Sequence, residues 1–187
     1  VRKAVSSDFK DKGDQIYLLG ETHQELGASE LSYMLSEETG GGIGNDVPQI
    51  DTTRNLTLYR ALTSAMGEGL VRSAHDCSDG GLAVAVAECC FGCDGATTIN
   101  LDELVSSDAD LWAVMFGESL GRILVSVKPE NTTEFETAMQ GNAVTHIGAV
   151  DDKKTLEFKH QGETVLKASL SKLLHSWKDT LNMGGEH

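Results

Sequence analysis

Gly80-Gly81 opens a run, Leu82-Ala83-Val84-Ala85-Val86-Ala87-Glu88-Cys89-Cys90, that is apolar on every face except at Glu88. A helix of that kind has no side to give to water, so the fold must cover it on most sides. Val71-Arg72-Ser73-Ala74 leads in as an extended segment, followed by His75-Asp76-Cys77-Ser78-Asp79. The stretch therefore reads as strand, glycine turn, buried helix. Bare N–H groups at such a turn form an anion site, because glycine lets a phosphate approach the backbone. Asp76 offers a hard oxygen to a divalent cation, and Ser78 offers a hydroxyl to a phosphate oxygen. A plainer reading stays open: Asp76, Ser78 or Asp79 caps the helix, and the glycines serve a tight turn. Glu88 reads as a solvated helix residue, and His75 as a locally packed or hydrogen-bonded one.

The 187 residues, 40% of them hydrophobic, suffice for one domain with a proper core. With 15 basic and 29 acidic side chains the formal charge is −14, a field that repels nucleic acid and anionic lipid. Handling a phosphate in that field calls for backbone N–H groups or a bridging Mg²⁺. No apolar segment approaches the roughly 20 residues of a membrane span. Val1-Arg2-Lys3-Ala4 lacks an apolar signal core, so a cytoplasmic protein is expected. The four cysteines, Cys77, Cys89, Cys90 and Cys93, crowd into one segment and cannot staple distant loops. Cys90-x-x-Cys93 has redox or zinc spacing, but zinc needs a second pair, for which only His75 and Cys77 are near in sequence. Cys89 and Cys90 fit a buried helix as small apolar residues.

Elsewhere, strands are expected at Gln15–Gly20, Thr97–Leu101, Ile123–Lys128 and Ala143–Val150. Thr155–Lys159 and Glu163–Lys167 alternate polar and apolar residues around Gln161-Gly162, as a hairpin does. Helices are expected at Ser29–Leu35 with Ser29 as cap, from Asp51 to Leu70 with Asp51 or Thr52 as cap, at Asp108–Phe116, at Asn131–Met139, and after Ser169. The glycine-rich Gly40–Asp46 lacks the Lys-Ser/Thr of a P-loop and reads as a connection. Strands and helices mix without strict alternation, which argues for an α+β fold on a largely antiparallel or mixed sheet. Residues 1–14 and 183–187 are expected to be mobile ends of this single domain, 1–187. Glu118, Ser119 and Arg122 read, on their own, as a turn before a strand, with Arg122 paired to a surface acid.

Three separated segments resemble one family. Ile16-Tyr17-Leu18-Leu19-Gly20-Glu21-Thr22 with Glu25-Leu26-Gly27-Ala28-Ser29-Glu30 is the first; Ala74–Ala85 is the second; Gly117-Glu118-Ser119-Leu120-Gly121-Arg122 with Val127-Lys128-Pro129-Glu130 is the third. They are similar to the last domain of the small-type PurL subunit of phosphoribosylformylglycinamidine synthase, within the aminoimidazole ribonucleotide (AIR) synthetase, or PurM-like, superfamily. The resemblance implies a PurM C-terminal-domain-like fold, a mixed sheet packed with helices, forming the second C-type domain of a larger subunit. It implies an ATP-dependent carbon–nitrogen ligase that converts formylglycinamide ribonucleotide and glutamine-derived ammonia to the amidine, with ADP and phosphate, in purine biosynthesis. The implied partners are the preceding N-type and C-type domains, the glutaminase PurQ and the bridging subunit PurS, and the isolated domain is expected to be inactive and open to homodimerisation. Carried over position by position, Asp76 matches a metal-binding aspartate. Ser78 matches a nucleotide-contacting serine, and Glu118 and Ser119 match a substrate-contacting pair in the pseudo-symmetric copy. With Gly80 and Gly81 these residues make up the expected Mg²⁺ and ATP/ADP site. Leu120 replaces a polar residue of that pattern, and Pro48-Gln49-Ile50-Asp51 departs from the substrate-binding copy. The alternatives are a purely structural domain with a degenerate site and another enzyme of the superfamily.

Overall fold

The computed structural model describes residues 4–93, 95–105 and 111–179. Among the described residues seven strands form one mixed sheet: β1 Gln15–Leu19, β2 Val71–Asp76, β3 Thr97–Asn100, β4 Ile123–Val127, β5 Val144–Val150, β6 Thr155–His160 and β7 Glu163–Ser169. Their spatial order is β2-β4-β1-β5-β3-β6-β7. Every neighbouring pair is antiparallel except β3 and β6, which run parallel. The helices are α1 Glu30–Thr39, α2 Thr52–Glu68, α3 Gly81–Phe91, α4 Leu111–Phe116, α5 Thr132–Ala138 and α6 Leu170–Asp179. This is the α+β sandwich expected, a mixed sheet with helices on both faces.

The alternation along β1 decides which helix packs where, since successive strand side chains point to opposite faces. Ile16 and Leu18 join Leu82, Val86, Cys89 and Cys90 of α3 and Val114 and Met115 of α4 in one core. Tyr17 and Leu19 join Leu58, Leu62 and Ala65 of α2 and Phe135 of α5 in the other. Both faces of the sheet are covered where β1 and β4 run, and these two strands are buried from their second residue on. Ser73 of β2 and Ser126 of β4 are buried and tolerate this because their hydroxyls meet at 2.6 Å.

Local signals account for most boundaries. Ser29 caps α1, accepting the Ser32 N–H at 3.2 Å, and Asp51 caps α2, accepting from Thr53 and Arg54 at 3.1 and 3.0 Å. Gln161 and Gly162, both at positive φ (51° and 80°), make the two-residue turn of the β6–β7 hairpin. Pro129 ends β4 and starts a 3-10 turn, Pro129–Asn131.

Two expected features differ in the structure, and two others fall outside the described residues. The segment 1–14, expected to be mobile, is packed over its described part. Phe9 is 1% exposed and its N–H donates to the Cys89 carbonyl, Asp14 is buried, and Ser6 bridges to Ser73. Residues 1–3, 94, 106–110 and 180–187 lie outside the described residues, and with them the expected cap at Asp108 and the expected mobile end at 183–187. Finally β2 runs on through His75 to Asp76, because both pair with β4, at Leu124 and Ile123.

Candidate functional site

The glycine turn lies where β2 leaves the sheet and α3 dives beneath it. Gly80 (φ 76°) is the N-cap of α3 and Gly81 (φ 64°) its first residue, both in the left-handed region that a side chain disfavours. A Cβ on Gly81 would run into the carbonyl oxygen of Gly117, so the α4–β4 loop packs directly on the turn. No side chain of the turn caps the helix. Asp76, Ser78 and Asp79 therefore do not serve as its caps.

The cap comes from elsewhere. The Glu118 carboxylate accepts the N–H of Gly80 at 2.9 Å and the N–H of Glu30 at 2.9 Å. One side chain thus stands at the N-termini of two helices, α3 and α1, where the backbone partial charge favours an anion. The Gly81 N–H is taken too, donating to the Ser78 carbonyl at 3.0 Å. Ser119 is buried, and its Oγ accepts the His23 N–H at 3.1 Å, which ties the β1–α1 loop to the same corner.

Arg122 departs furthest from the sequence reading. It is 1% exposed, among the largest fully buried side chains of the protein, and not paired to a surface acid. Its guanidinium donates to the carbonyls of Val114 (3.3 Å) and Gly117 and to Thr22 Oγ1 (3.4 Å), while Nε finds no partner among the described residues. Burial lowers its pKa, and the nearby Glu25 and Glu118 partly counter this. Its chemistry is that of a clamp: a fixed fork of donors gathering the carbonyls at the end of α4, which sets the Gly117–Ser119 loop against the glycine turn. Beside it, burial pushes the Cys77 thiol up to about 11, which keeps it protonated and inert at neutral pH.

Asp76, Ser78, Asp79, Glu118 and Arg122 line one open cavity of about 800 Å³, with Cys77, Pro48, and Tyr59, Leu62 and Thr63 of α2. The Ser78 hydroxyl donates to the Asp76 carboxylate and holds its pKa below the usual carboxylate range. Asp76 is 73% exposed in its side chain. His75 Nε2 stands 2.8 Å from the Glu88 carboxylate, so Glu88 is a partner across the strand–helix corner and not a freely solvated residue. A second cavity of about 450 Å³ adjoins through Leu120, lined by Glu21, His23, Gln49, Asp51, Arg54 and Asn55. There Arg54 pairs with Glu21 and, at 3.3 Å, with Asp51.

Of the expected ligand residues, the fold brings Asp76, Ser78 and Glu118 to the cavity, leaves Gly80 and Gly81 with their amides bonded within the chain, and turns Ser119 inward. The donor set does not fit a nucleotide phosphate as it stands: Glu118 takes the Gly80 amide a phosphate oxygen would use, and three carboxylates face the same space. Nor, among the described residues, do three or more His, Cys, Asp or Glu side chains converge as a metal centre. Sequence reasoning missed Arg122, and the only available signal was its place at the head of the buried run Ile123–Val127. It also missed the wall supplied by α2, for which no local signal exists.

A family profile described as AIR synthase related protein, C-terminal domain, matches residues 11–161. Among solved structures, phosphoribosylformylglycinamidine synthase II from Thermotoga maritima superposes with a TM-score of 0.76 at 19% identity, covering 92% of this chain and 28% of that one. T. maritima PurL complexed with FGAR gives a TM-score of 0.79 at 20% identity, over 92% and 29% of the two chains. The hydrogenase maturation protein HypE, in complex with ATP, gives 0.64 at 15% identity, over 90% and 54%. The chain spans under a third of the length of the two synthase chains. At these identities the likeness is one of fold.

Proposed function

Since the chain belongs to the AIR synthase related protein, C-terminal domain family, we propose that it serves a phosphoribosylformylglycinamidine synthase of the small PurL type as its second C-type domain. In this reading the parent subunit uses ATP to activate the amide oxygen of formylglycinamide ribonucleotide, and ammonia from a glutaminase partner displaces phosphate. The domain completes the pseudo-dimer and has no turnover of its own. The fold likeness to T. maritima PurL and the three resembling segments support the choice of enzyme. The assembly of PurL with its companion subunits in T. maritima PurLQS supports the choice of partners.

The observation that carries the domain's own role is Glu118. By accepting the Gly80 and Glu30 amides it does for two helix N-termini what a bound phosphate would do. The Asp76–Gly81 turn of this copy is then an anchor between α1, α3 and the α4–β4 loop. The Mg²⁺-nucleotide reading of Asp76, Ser78, Gly80, Gly81, Glu118 and Ser119 requires Glu118 to release the Gly80 amide first.

Two measurements test this. The complete subunit, supplied with its glutaminase and bridging partners, ATP, Mg²⁺ and formylglycinamide ribonucleotide, is expected to form the amidine, and the isolated domain with ammonia is expected to form none. Absence of amidine from the complete assembly, or turnover by the domain alone, overturns the assignment. Calorimetry of the domain with Mg·ADP is expected to give no binding heat in the wild type. Saturable binding that Asp76→Asn abolishes would restore the nucleotide site.

A further inference from the structure

We propose that the groove between α3, α6 and the β6–β7 hairpin binds a small organic ammonium ion with an aromatic or aliphatic body. The groove has a volume of about 420 Å³, within the ordinary range of small-molecule sites, and shares no lining residue with the two cavities described above. Its walls are apolar: Val84 and Phe91 of α3, Phe116 of α4, Leu166 of β7, and Leu173 and Trp177 of α6. The helix α3 is apolar on nearly every face, yet on this side its cover is incomplete. Val84 is 38% exposed and Trp177 49%, whereas Leu82, Val86, Cys89 and Cys90 are buried. The rings already stand as walls. Phe91 and Trp177 lie with their centroids 5.6 Å apart, and Phe116 is backed by Trp112 at 5.5 Å.

Charge selects the occupant. Lys167 belongs to the lining, but it alternates along β7 with Leu166 and Ala168, so its side chain leaves by the opposite face of the sheet. There its ammonium meets Glu157 at 2.5 Å. Glu88 is then the charge that the groove keeps. His75 Nε2 stands 2.8 Å from one of its oxygens and orients the carboxylate, whose side chain remains 34% exposed. Val84, Glu88 and Phe91 follow one another at helical spacing, so the carboxylate shares a helix face with the apolar wall and one of its rings.

A neutral molecule filling the groove would strip water from that carboxylate and put nothing in its place. An anion would meet both the carboxylate and the field of a chain of net charge −14. A cation offsets the lost water. Placed against Glu88, an ammonium also lies beside the aromatic walls, whose ring faces attract positive charge, while its body replaces water over Val84, Leu166 and Leu173.

The test titrates the tryptophan fluorescence of the full chain with three probes that share one body and differ in head group: phenylbutylammonium, phenylbutanol and phenylbutanoate. The ammonium is expected to bind saturably, about tenfold tighter than the alcohol, with the carboxylate weakest. Glu88→Gln keeps the size of the side chain and is expected to bring the ammonium down to the level of the alcohol. The signal is expected to survive in Trp112→Phe and to vanish in Trp177→Phe. Circular dichroism checks that the variants fold, and the head-group series on the wild type decides by itself if Glu88→Gln does not. Equal affinities for the three probes, an ammonium affinity unchanged in folded Glu88→Gln, a signal lost in Trp112→Phe, or no saturable binding of the ammonium overturns the proposal. So does a dimer in sedimentation equilibrium that Val84→Glu splits, which would seat a second copy of the chain in the groove.

Discussion

Glu118 and Gly81 face each other across one corner and show how differently single residues become legible. Two consecutive glycines before an apolar run announce a turn with positive φ and close backbone approach, and the structure places them so. Glu118 announces nothing about the amides it accepts, which lie 38 and 88 residues away in the chain. Arg122 misleads outright, since arginine is rarely buried without a carboxylate and here it bonds carbonyls. The contrast yields a prediction. At Gly162 (φ 80°) a Cβ meets nothing within 4 Å, so Gly162→Ala costs only the left-handed backbone, about 1–2 kcal/mol. At Gly81 (φ 64°) the same strain adds to a collision with the Gly117 carbonyl, and Gly81→Ala is expected to cost about 3 kcal/mol. Urea denaturation of the two variants checks this, and equal costs would mean the corner relaxes freely.

Elements meet through side chains whose reach the sequence does not state. β1 and α5 are joined by Tyr17, whose hydroxyl donates to Glu136 at 2.8 Å and whose ring lies 5.1 Å from that of Phe135. Burial first, and then the hydrogen bond to Glu136, raises the Tyr17 pKa above its ordinary 10.0. The unfolded chain therefore releases this proton at lower pH than the folded one. The contribution is whole below the unfolded value of 10.0, falls as pH rises past it, and is lost as pH reaches the folded value. Wild type should accordingly lose more stability than Tyr17→Phe between about pH 9 and about pH 11; parallel urea midpoints for the two proteins would remove Tyr17 from the account. The element boundaries themselves were largely readable: Ser29, Asp51, Pro129 and Gln161-Gly162 act through their immediate neighbours, and so their meaning survives without the fold.

For the whole molecule the dominant property is charge, a formal −14 over 187 residues. Among the described residues its ion pairs are mostly exposed, such as Lys12 with Asp152 and Lys128 with Glu130, and do not cancel the excess. Self-repulsion should therefore weaken the compact state at low ionic strength, and raising NaCl from about 0.02 M to about 0.2 M should raise the Tm by a few degrees. A Tm that falls or stays level in calorimetry would show that the individual ion pairs outweigh the net field. Taken alone, the sequence determined the α+β class, the course of all seven strands to within a few residues, and the burial of α3, because periodicity, caps and turn residues act over a few positions. Tertiary structure alone decided the strand order, the meeting of α2 with the glycine turn, the burial of Arg122 and the capping of two helices by one carboxylate. Those depend on which distant segments become neighbours, and that is set by the packing of two cores against one sheet.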